Sequence, residues 1–253
     1  MTAALIYHDV VPEPDADSAG FPGRLAGRYK HTPEDFEAHL DAIERTGARV
    51  GLAGEGAGVV LTFDDGGASV ADIAARLERR GWRGHFFMTT ARIGTPAFAT
   101  GDDLRRLAAA GHDVGSHSHT HPSYMGRLSP AELAEEWTTS RRVLAEVLGE
   151  PPRAAAVPGG FLSRAVLEQA ERAGYELLMT SQPEARQRRF GAMTVQGRYT
   201  IWGDTPAETA AAYARGARGA RLRLWTEWQL KGLAKRVSPS VYDRFRRLRA
   251  GGA

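Results

Sequence analysis

The chain contains no cysteine in 253 residues. Disulfides and thiolate metal ligands are therefore excluded, and any metal must be held by histidine and carboxylate. No apolar run is long enough to span a bilayer, since a membrane helix needs about 20 such residues. The opening Met1–His8 has neither a basic leader segment nor a long apolar stretch and runs directly into a strand-like pattern. It reads as lacking an export signal, which with the missing disulfides sets a cytoplasmic expectation. Composition is otherwise that of a globular protein, with 42% hydrophobic and 25% charged residues.

Net charge is +3 but unevenly spread. From Arg215 onward there are eleven Lys and Arg against Glu227 and Asp243, so the tail is +9 and the remainder −6. A basic end bearing Trp225 and Trp228 suits a solvated arginine-rich helix, or peripheral contact with an anionic membrane or a phosphorylated carrier. Nucleic acid is not an expected partner.

Strand-like and helix-like segments alternate along the chain. Leu5–His8, Val59–Phe63, His85–Thr89, His112–His117, Ala154–Val157, Tyr175–Thr180 and Met193–Ile201 read as strands. Helices begin at the caps Thr32, Ser69, Thr100, Ser129 and Ser163. Pro12–Tyr29 reads as a loop, and the last stretch as helical with a break near Ser238-Pro239. This alternation predicts an α/β fold with a parallel sheet, a distorted (β/α) barrel. Residues 1–205 form the expected catalytic domain. Residues 206–253 form a basic helical C-terminal extension packed on it.

Chemistry in such barrels gathers at the carboxyl ends of strands, where His8, Asp64-Asp65, His117 and Pro158-Gly159-Gly160 fall. The strand Val59–Phe63 ends in two adjacent carboxylates, and Gly66-Gly67 frees the backbone to turn both toward one pocket. An Asp pair capping the following helix is the structural alternative. Gly115–Pro122 then carries three imidazoles, with His117 and His121 four residues apart. Combined with Asp65 they make a three-ligand site with open positions, suited to catalytic Zn²⁺, with Ser116, Ser118 and Thr120 available to orient the ligands. Asp64 is left free as a general base. Two His and one Asp also suit Fe(II) oxygen chemistry, against which the spare Asp64 argues.

Thr62-Phe63-Asp64-Asp65-Gly66 followed by His117-Ser118-His119-Thr120-His121-Pro122 resembles the first two motifs of the polysaccharide deacetylase family, carbohydrate esterase family 4. The resemblance covers roughly residues 5 to 200. It implies a distorted (β/α) barrel that removes acetyl groups with a divalent metal. Asp64 is then the catalytic base, and Asp65, His117 and His121 are the metal ligands. Zn²⁺ is expected, with Co²⁺, Ni²⁺ and Fe²⁺ compatible. The family's base-orienting Arg before a Pro is replaced by Ala156 in Ala156-Val157-Pro158, so Arg153 or Arg198 is the candidate substitute. The usual late histidine acid is also missing, since no histidine follows His121. Tyr7-His8 is instead similar to the N-terminal Tyr-His of a permuted subgroup that includes poly-N-acetylglucosamine deacetylases, which makes His8 the candidate acid.

An oxyanion-holding N–H is placed beside Pro158-Gly159-Gly160, and an apolar slot or sugar platform at Tyr124, Phe161 and Trp202. The implied function is hydrolysis of an acetyl group from an N-acetylated amino sugar, glycoside or related small-molecule or carrier-linked intermediate. The alternatives are hydrolysis of another non-peptide C–N bond on a non-sugar metabolite, and a catalytically weakened metal-binding homologue.

Overall fold

The computed structural model describes residues 2–13, 17–160 and 162–237. In chain order its elements are β1 (Ala3–Tyr7), α1 (Arg24–Gly27), α2 (Pro33–Glu44), β2 (Val59–Phe63), α3 (Val70–Glu78), β3 (His85–Met88), α4 (Gly101–Ala109) and β4 (Asp113–Ser116). These are followed by α5 (Pro130–Leu148), β5 (Ala154–Ala156), α6 (Arg164–Arg172), β6 (Leu177–Met179), β7 (Gln187–Phe190), β8 (Met193–Gln196), β9 (Tyr199–Thr200), α7 (Ala207–Ala214) and α8 (Arg218–Val237).

The strands form one curled sheet in the order β7-β8-β6-β5-β4-β3-β2-β1-β9. Every pairing is parallel except β7 with β8. Alternate strand residues face opposite ways. Leu5, Tyr7, Leu61 and Phe63 pack outward onto Phe36, Leu40 and Ile43 of α2 and Val70, Ile73 and Leu77 of α3. The opposite rows contribute a smaller cluster of Ala4, Val60, Phe87, Ala154, Ala156 and Met179. Helices thus cover the outer face while this smaller cluster lines the inner one, giving a distorted (β/α) barrel.

Closure of that barrel depends on a break that periodicity does not reveal. Met193–Ile201 reads as one strand but is two, interrupted at Gly197 and Arg198. Both halves run in the same direction, yet β8 pairs with β6 and β9 with β1. Consecutive Cα atoms are about 3.8 Å apart, so a two-residue link can join these distant strands only if the sheet curls back on itself. A side chain at Gly197 would collide with the backbone carbonyl of Gln182, so only glycine lets the chain pass there. The interrupted strand is therefore the seam of the barrel, and Arg198 sits in it.

The helix starts follow their capping chemistry. Thr32 accepts from the Asp35 N–H, while Thr100 with Asp103 and Ser129 with Glu132 form reciprocal capping boxes, worth about 1 kcal/mol each. Ser69 departs from expectation, because its hydroxyl makes no capping bond to α3. It instead donates to Asp9 at 2.7 Å and accepts the Val10 N–H at 3.1 Å. A cap would use the hydroxyl as an acceptor, and here that role goes to the Val10 N–H while its proton goes to buried Asp9. The expected loop Pro12–Tyr29 includes the short α1. The hairpin strand β7 has no periodic signal, because its exposed Gln187-Arg188-Arg189 lacks an apolar row. Helix α7 packs on α2 and β1, and α8 follows it. The break at Ser238-Pro239, the arginines beyond it and Phe161 lie outside the described residues.

Candidate active site

Strand period explains Asp64. Val60, Thr62 and Asp64 form the inward row of β2, so Asp64 enters the barrel mouth alongside Thr62. Asp65 would point the other way if the strand continued. It does not, because the backbone turns left-handed at Asp65 itself, with φ 76°, and remains so at Gly66 with φ 77°. Release therefore begins one residue earlier than the glycines suggest. A non-glycine residue in this region costs of order 1–3 kcal/mol. Ser118 and His121 share the feature, with φ 64° and 60°, so strain gathers on the segments that carry the candidate ligands.

The three expected ligand atoms converge. Asp65, His117 and His121 offer donor atoms that all lie within 4.8 Å of one another. Asp65 Oδ1 is 3.5 Å from His117 Nε2 and 3.3 Å from His121 Nε2. That oxygen is buried yet lacks an aligned hydrogen-bond partner among the described residues. A buried carboxylate oxygen left so is costly unless something binds it. His117 Nδ1 lies 3.0 Å from the Ala156 carbonyl, which can only accept. The ring therefore carries its proton on Nδ1 and presents an Nε2 lone pair to Asp65. Two imidazoles and one carboxylate oxygen, with no donor among them committed elsewhere, fit a divalent cation.

Electrostatics agree with that assignment. Burial would push Asp65 up, but His121 foremost, with His8 and His117, holds it well below the usual carboxylate range. Burial lowers His117 to about 4 against the pull of Asp64, so it is neutral at physiological pH. Burial also works against the charge on His121, but Asp65 outweighs it and lifts this pKa above the ordinary value.

Asp64 is held quite differently. Arg198, only 1% exposed, places Nη1 2.7 Å from Asp64 Oδ1 and Nη2 2.9 Å from Oδ2. Its Nη1 also donates to Thr62 Oγ1 at 2.9 Å, and its Nε to the Thr180 carbonyl at 3.3 Å. Burial alone would raise Asp64; the Arg198 charge, then His117, keeps it ionised and below its usual range. Of the two candidate arginines, Arg198 therefore meets Asp64. Arg153 stands 79% exposed and faces Glu176 at 3.7 Å.

His8 follows β1 directly, and its ring lies tilted against Tyr29 with centroids 4.5 Å apart. Trp202 stacks in turn on Tyr29 at 4.4 Å. Tyr124 lies under the Arg127 guanidinium at 4.5 Å. Pro158-Gly159-Gly160 turns at the end of β5, with both glycines left-handed. A side chain at Gly160 would collide with Ser181.

Three contributors carry little or no sequence signal. Glu136 on α5 accepts the backbone N–H groups of His119 and Thr120 at 2.8 and 2.9 Å and the Thr120 hydroxyl at 2.5 Å, clamping the histidine loop. Asp9 is buried beside the site, where burial pushes it up to about 7. Tyr29 is the third. Only Asp9 leaves a local trace, as an acid immediately after a strand-end histidine. Ser118 and Ser116 accept the backbone N–H of His121 and of Ser118 respectively, and so brace the loop rather than the imidazole rings.

A barrel with adjacent carboxylates and two histidines at its mouth defines a class of hydrolase-like folds, and comparison with known proteins narrows it. Residues 53–178 match the family described as polysaccharide deacetylase. The chain belongs to the polysaccharide deacetylase family. It is 33% identical over 119 residues to a chitooligosaccharide deacetylase of Bradyrhizobium sp. (strain ANU 289), covering 46% of this chain and 52% of that protein. A Bacillus subtilis (strain 168) relative is 27% identical over 134 residues, covering 53% of this chain and 48% of its own. The chain thus spans about half the length of these curated relatives. Among solved structures, IcaB from Ammonifex degensii aligns with TM-score 0.68 at 23% identity, over 85% of this chain and 97% of that one. The Streptococcus pyogenes deacetylase PplD in complex with acetate gives 0.67 at 21%, over 82% and 95%. At these identities the two likenesses establish the fold.

Proposed function

We propose that the chain is a divalent-metal-dependent deacetylase. Its substrate is an N-acetylated amino sugar, glycoside or related biosynthetic intermediate, free or carrier-linked. The observation that carries this is the division of labour between neighbours. Asp64 is gripped by a guanidinium, and Asp65 turns to two imidazoles a buried oxygen that has no aligned hydrogen bond among the described residues. Family membership and the chitooligosaccharide deacetylase likeness support the substrate class.

Asp65, His117 and His121 would hold the metal, Zn²⁺ first, with Co²⁺, Ni²⁺ or Fe²⁺ suited to the same donors. When bound, such a cation supplies a Lewis acid for the acyl oxygen and acidifies water. Asp64 accepts a proton from water as its oxygen bonds to the acetyl carbon. Arg198 fixes the orientation of Asp64 and keeps it ionised, so it enters the reaction as a base. A backbone N–H at Pro158-Gly159-Gly160 is read as a donor to the developing oxyanion. His8 gives a proton to the departing nitrogen as the C–N bond breaks, leaving acetate and a free amine. The position of β1 between β2 and β9 supports reading His8 as the acid of the permuted subgroup.

Alanine at position 156, where the family carries arginine, is the reason to consider a weakened homologue; the grip of Arg198 on Asp64 favours a working base. We read the described part of the extension, residues 206–237, as packed on the catalytic domain through α7, and residues 238–253 lie outside the described ones. Leu222 and Trp225, exposed on α8 within the basic tail, support contact with anionic lipid. No sedimentation with anionic vesicles at low salt would remove that contact. For the activity itself, the enzyme is stripped with chelator, reloaded with each metal, and scored for acetate and amine from N-acetylated glycosides. Stoichiometric release of both supports the reading, and release of another fragment supports the alternative C–N bond.

A further inference from the structure

His8 presents an unusual support. A histidine that transfers protons is ordinarily steadied by an acceptor on its second nitrogen. Here Nδ1 of His8 is buried and meets no hydrogen-bond partner among the described residues. What touches the ring instead is a ladder of π faces. His8 lies on Tyr29 at 4.5 Å with planes 39° apart, and Tyr29 on Trp202 at 4.4 Å and 28°. The Arg28 guanidinium carbon stands 5.2 Å over the Trp202 ring. The Tyr29–Trp202 pair is stacked and the His8 ring leans tilted against Tyr29, both in face-to-face contact range of aromatic rings.

The ladder is built by the backbone rather than by chance contact. Val11 N–H donates to the His31 carbonyl at 2.9 Å, and His31 N–H to the Asp9 carbonyl at 3.0 Å. Residues 9–11 therefore run beside residue 31, and Tyr29 arrives next to His8. On the other side Gly203 N–H donates to the Arg28 carbonyl at 2.8 Å. A Cβ at Gly203 would meet the Lys30 carbonyl at 2.5 Å, so glycine is what permits this approach. The Trp202 N–H is fixed by Thr205 Oγ1 at 2.9 Å. Two segments more than 170 residues apart are thus joined so that their aromatic rings stack behind His8.

We propose that Tyr29 is the positioning residue of His8, its ring face doing what a hydrogen-bonded acceptor does elsewhere, with Trp202 and Arg28 backing it. This rests on the reading of His8 as the proton donor to the leaving nitrogen. Rotation of the imidazole out of line would break the stack, so the ring plane is set before substrate arrives. Asp64 and Asp65 at the end of β2, and His31, lie close enough to feel the charge of His8. None of these sets the plane of the ring through an aligned bond to Nδ1.

The test uses leaving-group dependence in the metal-loaded full chain. An N-acetylated glycoside needs a proton on its departing amine, whereas an activated aryl acetate does not. Tyr29→Leu is expected to lower kcat on the amide by about tenfold or more. Its KM, metal content and turnover of the aryl ester should remain unchanged. Tyr29→Phe, which keeps the ring, should restore amide turnover. Amide turnover by Tyr29→Leu equal to the parent, or equal losses on both substrates, would overturn the proposal. His8→Ala separates the two readings. Full amide turnover in His8→Ala overturns the assignment of His8 as the acid, whereas a selective loss not shared by Tyr29→Leu overturns only the role of Tyr29.

Discussion

Arg198 grips both oxygens of Asp64, at 2.7 and 2.9 Å, from the two-residue gap that closes the barrel. The same interruption that switches the chain from β6 to β1 therefore delivers the cation that holds the candidate base. Fold closure and site electrostatics depend on one short segment.

Replacing Arg198 leaves a buried carboxylate unpaired. Arg198→Met is expected to destabilise the fold by about 3–5 kcal/mol and to lower kcat about 10²-fold. Because Arg198 lowers the pKa of Asp64, its loss raises that pKa. The acidic limb of the pH–rate profile then moves to higher pH. Denaturant melts and pH profiles of parent and variant check both statements.

Below the His121 pKa, which Asp65 lifts above the ordinary value, an incoming metal would have to displace a proton from that ring, whereas His117 at about 4 is already neutral. Apparent affinity should fall about tenfold per pH unit below the His121 pKa, with one proton released per ion bound. Calorimetry in buffers of different ionisation enthalpy counts that proton.

Glu136 touches no candidate ligand side chain, yet it holds the loop between His117 and His121 by three bonds. Glu136→Ala should weaken metal affinity about 10–100-fold while leaving the melting curve of the metal-free protein nearly unchanged. Chelator competition measures the first and a denaturant titration the second.

Asp9 gives a stability signature. Its folded pKa of about 7 exceeds the ordinary 3.8, so the folded state holds the proton more tightly. Stability from this group is full below the unfolded pKa and is lost as pH rises between about 4 and 7. Asp9→Asn keeps an acceptor for Ser69 and should flatten that decline. Unfolding midpoints of the metal-free protein at pH 5 and pH 8 test it.

Most of the strand ends and four of the five helix caps are legible in the sequence, because alternation and capping are local patterns. Asp64, Asp65, His117 and His121 are legible because motif and strand end coincide. Arg198 emerges from the sequence only as one of two candidates, since its partner lies 134 residues away and the seam that turns it inward has no periodic signature. Ser69 departs from its local pattern because long-range partners take its hydroxyl, Val10 N–H as donor and Asp9 as acceptor. Tyr29 and Glu136 act through contacts that only the folded chain assembles.

The most direct test of the separation between Asp64 and Asp65 is acetate release by Asp64→Asn alongside its bound metal. The parent should release acetate from an N-acetylated glycoside only when metal-loaded. The Asn variant should retain the metal through Asp65, His117 and His121 but release at least about 10²-fold less acetate. An Asn variant that keeps parental turnover, or one that loses its metal along with its activity, would contradict that separation.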